Sequence, residues 1–139
     1  MFDSYYNNGN ANAGISEVRF YAQKYTGVTN ATGTLISTSQ TASSARTKVS
    51  GVFLYKDNAG TATLGTDLKL YVTCNGGTNW TEVTSSDMTT SSSNFSTGIK
   101  TVYFAEKTCT SGTSIKYKVE WANQSGSKAT QLHGIALNY

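Results

Sequence analysis

The stretch Ser114-Ile115-Lys116-Tyr117-Lys118-Val119-Glu120-Trp121-Ala122 sends Ile115, Tyr117, Val119 and Trp121 to one side of an extended chain and Lys116, Lys118 and Glu120 to the other. Successive side chains of a strand point to opposite faces, so this is a strand with one dry and one wet face, as half-buried antiparallel strands have. Asp67 to Cys74 repeats the pattern, with Leu68, Leu70, Val72 and Cys74 set against Lys69, Tyr71 and Thr73. Outward from these two, period-two segments recur at Ser16 to Thr26, Thr34 to Thr38, Thr47 to Lys56, Trp80 to Val83, Gly98 to Thr108 and Gln131 to Tyr139, and no apolar run has helical spacing. About eight strands without intervening helices predict an all-β fold: a single two-sheet antiparallel β-sandwich, jelly-roll-like or immunoglobulin-like.

Composition agrees with one packed domain over residues 1–139, a length that leaves no room for a second ordinary core. Charged residues are only 14% of the chain, but nine Tyr, five Phe and two Trp supply the aromatic burial that disordered chains lack. There is no proline, so turns fall to Gly, Asn, Asp and Ser. The predicted linkers are Asn58 to Thr66, Ser85 to Thr97 and Gln124 to Lys128, with a short turn at Thr110-Ser111-Gly112-Thr113. Residues 1–14, containing Tyr5-Tyr6-Asn7-Asn8-Gly9, read as a flexible or partner-contacting lead-in. The net charge of +3 comes from scattered Lys and Arg, which argues against a nucleic-acid partner. No apolar stretch is long enough to cross a bilayer, so no membrane partner is expected, and the start lacks the pattern of a signal peptide. Gly51-Val52-Phe53-Leu54-Tyr55 and Thr101-Val102-Tyr103-Phe104-Ala105 are apolar on both faces, which suits central strands or strands covered by a neighbouring subunit.

Thr73-Cys74-Asn75-Gly76-Gly77-Thr78-Asn79-Trp80 resembles a degenerate Asp-box, the hairpin signature Ser-x-Asp-x-Gly-x-Thr-Trp of sialidases and other β-proteins, with Asn75 in place of Asp and Asn79 in place of Thr. Its role is structural: Asn75 bonds its own turn, Gly76 and Gly77 permit positive φ, and Trp80 packs beneath. Cys74 and Cys109 either form one disulfide or remain two buried thiols, and neither stands in a Cys-x-x-Cys pair. Catalysis is not expected. The lone His133 offers no base beside a nucleophile, and the eight carboxylates Asp3, Glu17, Asp57, Asp67, Glu82, Asp87, Glu106 and Glu120 show no spacing that selects an acid/base pair. Asp57, Asn58 and Asp67 read as turn residues rather than calcium ligands, and no cofactor or metal site is expected. Asn-x-Ser/Thr sequons at Asn30, Asn79, Asn94 and Asn123 are what a chain rich in these residues produces by chance.

A family likeness runs from Ala42 to Tyr139, about two-thirds of the chain. It is carried by Thr41-Ala42-Ser43-Ser44-Ala45, Val49-Ser50-Gly51-Val52, Gly65-Thr66-Asp67-Leu68-Lys69-Leu70-Tyr71, Asn75-Gly76-Gly77-Thr78-Asn79-Trp80-Thr81-Glu82, Phe95-Ser96-Thr97-Gly98-Ile99-Lys100, Thr110-Ser111-Gly112-Thr113, Trp121-Ala122-Asn123-Gln124 and the closing Leu132-His133-Gly134-Ile135-Ala136-Leu137-Asn138-Tyr139. These segments resemble a β-sandwich domain that recurs in tail-fibre-like and other virion proteins of marine and environmental tailed bacteriophages. The resemblance implies a non-enzymatic virion structural or adhesion domain, made in the host cytoplasm and carried on the particle. Its partners would be itself, as a homo-oligomer, other virion subunits, or a host-surface glycan. The alternative is a carbohydrate-binding module of a secreted enzyme or adhesin. Tyr5, Tyr6, Tyr21, Tyr71 and Tyr103 are the aromatics that strand parity leaves outside, and they are the candidate contact residues under either reading.

Overall fold

The computed structural model describes residues 30–139. The expected strand at Ser16 to Thr26, the lead-in over residues 1–14, and Tyr5, Tyr6 and Tyr21 lie outside the described residues. The described chain is all-β: β1 (Ala31–Ile36), β2 (Gln40–Ala59), β3 (Leu68–Thr73), β4 (Thr81–Val83), β5 (Met88–Thr90), β6 (Ile99–Gln124) and β7 (Ala129–Asn138), with one 3-10 turn at Ser85–Asp87. Every strand pairing is antiparallel.

The sequence predicts two strands, Gly98 to Thr108 and Ser114 to Ala122, separated by a turn at residues 110–113. The structure instead runs a single strand of 26 residues through that turn. Its backbone stays extended because partners are available on both sides: Arg46 of β2 pairs with Gly112, while the Ser114 amide donates to the Cys74 carbonyl at 2.9 Å. Gly112 is required at that crossing. A Cβ there would stand 2.3 Å from the Cys74 carbonyl oxygen and 2.7 Å from the Cα of Asn75. A second difference is β5, a short strand inside the segment expected to be a loop, which pairs Met88 with Phe104 and Thr90 with Val102.

The long β6 connects everything. Along one edge it pairs first with β2 and then with β1, and along the other with β5 and then β3, which in turn carries β4; β7 closes the far side of β2. The result is one connected seven-stranded sheet rather than two sheets with separate strands. It comprises two ladders that share β6, β4-β3-β6-β1 through the second half of β6 and β5-β6-β2-β7 through the first half.

Bulges let the shared strands change direction. Between the pairs Val49 with Lys107 and Gly51 with Phe104, Ser50 alone on β2 faces Ala105 and Glu106 on β6. An extra residue in one strand shifts its side-chain parity and bends it. The buried β6 residues follow that shift, from Val102 and Phe104 before the bulge to Cys109, Ile115 and Val119 after it. Both ladders thereby contribute to one apolar cluster: Val49, Phe53 and Tyr55 from β2, Leu68, Leu70 and Val72 from β3, Val83 from β4, and the buried β6 residues. Ile115, Val49, Val72, Val83 and Val102 are all fully enclosed. The alternation read in residues 67–74 and 114–122 places Leu68, Leu70, Val72, Ile115 and Val119 inside as expected, but Thr73, expected on the wet face, is also buried, where its hydroxyl holds the following turn.

Candidate functional site

The hairpin after β3 has the geometry that its residues predict. Asn75 donates its amide to Thr73 Oγ1 and accepts at Oδ1 from the Asn79 amide at 3.0 Å, while its Nδ2 donates to Asn79 Oδ1. The Thr73 hydroxyl donates to Asn75 Oδ1 and accepts from the Gly77 amide. Gly76 and Gly77 have φ of 75° and 97°, in the left-handed region. A Cβ on Gly77 would meet the Trp80 ring at 3.0 Å, so the indole lies flush against the turn. The Thr73 hydroxyl and the Asn75 side chain are spent on the turn itself, so the motif acts structurally.

Tyr71 and Tyr103, read together as contact aromatics, have different surroundings. The Lys118 ammonium sits 4.1 Å from the centroid of the Tyr71 ring and 5.6 Å from that of Trp80, covering the Tyr71 face with a cation. Burial, then the Glu120 and Glu82 carboxylates, push the Tyr71 phenol above its ordinary pKa. Lys118 also pairs with Glu120 at 2.7 Å and holds that carboxyl below its usual range. Tyr71 is thus a member of a polar network on the β3-β6 surface. Tyr103, by contrast, is 56% exposed and in register with Thr89 of β5 and Val52 of β2, and Val52 is in register with Ala136 of β7. The row Thr89, Tyr103, Val52, Ala136 crosses all four strands of its ladder without a charge. Leu54 with Thr101 and Gly134 forms the next row. This face explains why the two segments around Val52 and Tyr103 are apolar on both sides: Phe53, Tyr55, Val102 and Phe104 supply the core, and Val52, Leu54 and Tyr103 form the outer surface.

A groove of about 440 Å³ lies where the β1-β2 run passes from one ladder to the other. Ile115 and Tyr117 of β6, Ile135 and Leu137 of β7, and Ser37 and Tyr139 are among its lining residues. The neighbouring β1 is exposed along its whole length, and Leu35 and Ile36 are 41% and 55% exposed.

The aspartates form staples between distant segments. Asp67, 2% exposed at its side chain, accepts from Lys128 Nζ at 2.7 Å, from the Thr63 amide at 2.8 Å and from Asn123 Nδ2 at 2.8 Å. Led by the Lys128 bond, these donors outweigh the cost of burial and lower its pKa to about 2. Asp57 accepts from Lys100 and from the Ala62 amide. Asp87 accepts from Lys107 and from the amide and hydroxyl of Thr84, and its pKa likewise falls to about 2, with Lys107 the largest cause. Asp57 and Asp67 are thus each paired with a lysine. Among the described residues no three His, Cys, Asp or Glu side chains cluster as metal ligands would. His133 is exposed on β7. Of the sequon residues, Asn30 and Asn94 are exposed, Asn79 belongs to the hairpin network and Asn123 to the Asp67 staple.

Cys74 and Cys109 are both buried, at 0% and 6% exposure, and carry free thiols. Burial, then the neighbouring Cys109, pushes the Cys74 thiol up to about 11, and the Cys109 thiol lies 3.9 Å from the Lys107 carbonyl oxygen. Sequence reading leaves the pair open between one disulfide and two buried thiols, and the turn it expects after Cys109 is absent. Two features it did not find are the Tyr103 row and the lysine-aspartate staples. The first depends on cross-strand register, and the partners in the second are 20 to 61 residues apart. No protein-family model matches the chain, and no curated protein and no solved structure is significantly similar to it.

Proposed function

We propose that this domain works through surface contact rather than reaction chemistry, as a non-enzymatic structural or adhesion module that assembles with copies of itself and is carried on a virion, in the manner of a tail-fibre or capsid-decoration domain. The observation that carries the reading is the pair of uncharged rows around Tyr103 and Leu54 on the outer face of the β5-β6-β2-β7 ladder, bordered by Lys56 in the next row. Exposed apolar surface in a continuous strip marks a contact site, and aromatic residues are enriched in the buried centres of such interfaces. The placement on a virion rests on the segments that resemble phage structural proteins. Weak contacts at each copy add up when many are presented together, so modest single-site affinity is compatible with adhesion.

The same face supports a second reading, a carbohydrate-binding module, because an exposed Tyr ring flanked by the Thr89 and Thr101 hydroxyls offers a flat apolar surface and hydrogen-bonding groups to a sugar. Light scattering on the purified chain, followed by a glycan array, separates the two. The assembly reading expects an oligomer that Tyr103→Lys dissociates while circular dichroism stays unchanged. A monomer with a sugar preference that Tyr103→Ser abolishes would replace it with the carbohydrate reading. A monomer that binds no sugar, with a Tyr103→Lys variant indistinguishable from it, would overturn both.

A further inference from the structure

We propose that Cys74 and Cys109 are a cross-linking site: the pair closes into an intramolecular disulfide when the chain folds in the presence of a small-molecule disulfide oxidant, and the finished fold then seals whichever oxidation state it acquired. Three observations place the two residues together. Both thiols are buried in the same apolar cluster, Cys109 is near enough to Cys74 to raise its pKa, and Gly112, three residues beyond Cys109, lies against the Cys74 carbonyl with no side chain to hold the strands apart. The Ser114 amide bonds that same carbonyl, so β6 is fixed to the end of β3 immediately beside the thiols.

The chemistry is thiol-disulfide exchange. One cysteine thiolate attacks the oxidant's disulfide, forming a mixed disulfide and releasing one small thiol. The second thiolate then attacks the protein sulfur of that mixed disulfide, forms the Cys74–Cys109 bond and releases the second small thiol. Two electrons pass from the protein to the oxidant, and the two protein thiol protons leave with the released thiols.

Burial makes the timing decisive. In the fold, burial pushes the Cys74 thiol up to about 11 and so keeps it protonated at neutral pH, and the enclosing strands exclude the reagent. Exchange is therefore fast while the chain is open and slow once it has closed. The same enclosure protects the finished bond from reductants.

The test is to unfold the full chain in urea with reductant and refold it in two arms, one in a mixture of reduced and oxidised glutathione and one in excess reductant. The oxidised arm is expected to yield a monomer lighter by two hydrogens. In its tryptic map without reduction, the peptide Leu70 to Lys100 should be linked to the peptide Thr108 to Lys116, and its Tm should exceed that of the reduced arm by on the order of 10 °C. Thiols of the reduced folded protein should resist an aromatic disulfide reagent until urea is added. A Cys74→Ser/Cys109→Ser double variant should show no Tm difference between the arms. Glutathione adducts or intermolecular dimers as the end product would overturn the proposal. So would native thiols that react as quickly as free cysteine, or a Tm difference that persists in the double variant.

Discussion

At the scale of single residues, Asp67 is the clearest case of a side chain whose role depends on its partners. It is buried and fully occupied by Lys128, Thr63 and Asn123, so removing it strands a lysine and two other donors. Breaking a fully buried pair by deleting one member costs about 3 to 5 kcal/mol, and with the Lys128 side chain 33% exposed the cost here lies toward the lower end, still a large part of the 5 to 15 kcal/mol by which domains are stable. Asp67→Ala should therefore lower the urea midpoint severely, and a loss of less than about 1 kcal/mol would show that solvent replaces the staple. The hairpin offers a graded comparison. Asn75→Asp keeps the acceptor oxygen that serves Asn79 and Thr73 and loses only the Nδ2 donation, whereas Asn75→Ala loses the whole set. Denaturation should show Asn75→Ala less stable by about 1 to 3 kcal/mol and Asn75→Asp close to the parent. The hairpin was legible in advance because its bonds join residues within four positions of one another. The Asp67 partner Lys128 was not, since nothing local connects residues 61 apart.

At the scale of elements, β6 holds the ladders together, and two glycines permit its packing and that of its neighbour β2. A Cβ on Gly51 would lie 2.3 Å from the Ala136 carbonyl oxygen and 3.0 Å from the Phe104 ring. Neither contact can be relieved by rotating a flexible side chain, since one is backbone and the other a packed core ring. Gly51→Ala should thus loosen β7 from β2, and hydrogen exchange should show faster exchange of β7 amides than of those in β3. Equal protection in both strands would mean that β2 absorbs the extra methyl without moving. The residues 110–113 were expected to turn because Ser, Thr and Gly favour turns locally. They are extended because β2 on one edge and the Cys74 carbonyl on the other satisfy their backbone, a case of tertiary pairing overriding local preference.

At the scale of the whole molecule, two staples make stability depend on pH. The carboxyls of Asp67 and Asp87 are lowered from the ordinary 3.8 to about 2 in the fold. Between those values the unfolded chain binds protons that the folded chain refuses, so acid favours unfolding. The stabilisation is complete above the ordinary aspartate range and is lost as the pH falls through about 2. Urea midpoints measured down an acid series should be level near neutrality and drop below about pH 4. Asp67→Asn should flatten part of that drop, and a parent midpoint unchanged down to the lowest pH would contradict the staple reading. The uncharged rows around Tyr103 and Leu54 lie on the β5-β6-β2-β7 ladder and the network around Tyr71 on the β4-β3-β6-β1 ladder, so the two aromatics report on different surfaces.

The sequence by itself determined that the chain is built of strands, which side of residues 67–74 and 114–122 is buried, and the form of the turn between Cys74 and Trp80. These features rest on alternation and on bonds between near neighbours, which any local reading can follow. Only the tertiary structure decided that two predicted strands are one, that Tyr71 is engaged by Lys118 while Tyr103 stands clear, and that Asp57, Asp67 and Asp87 each have a distant lysine. Register and bulges set these outcomes, and they arise when the whole chain finds the single arrangement that encloses its apolar side chains without stranding a charge.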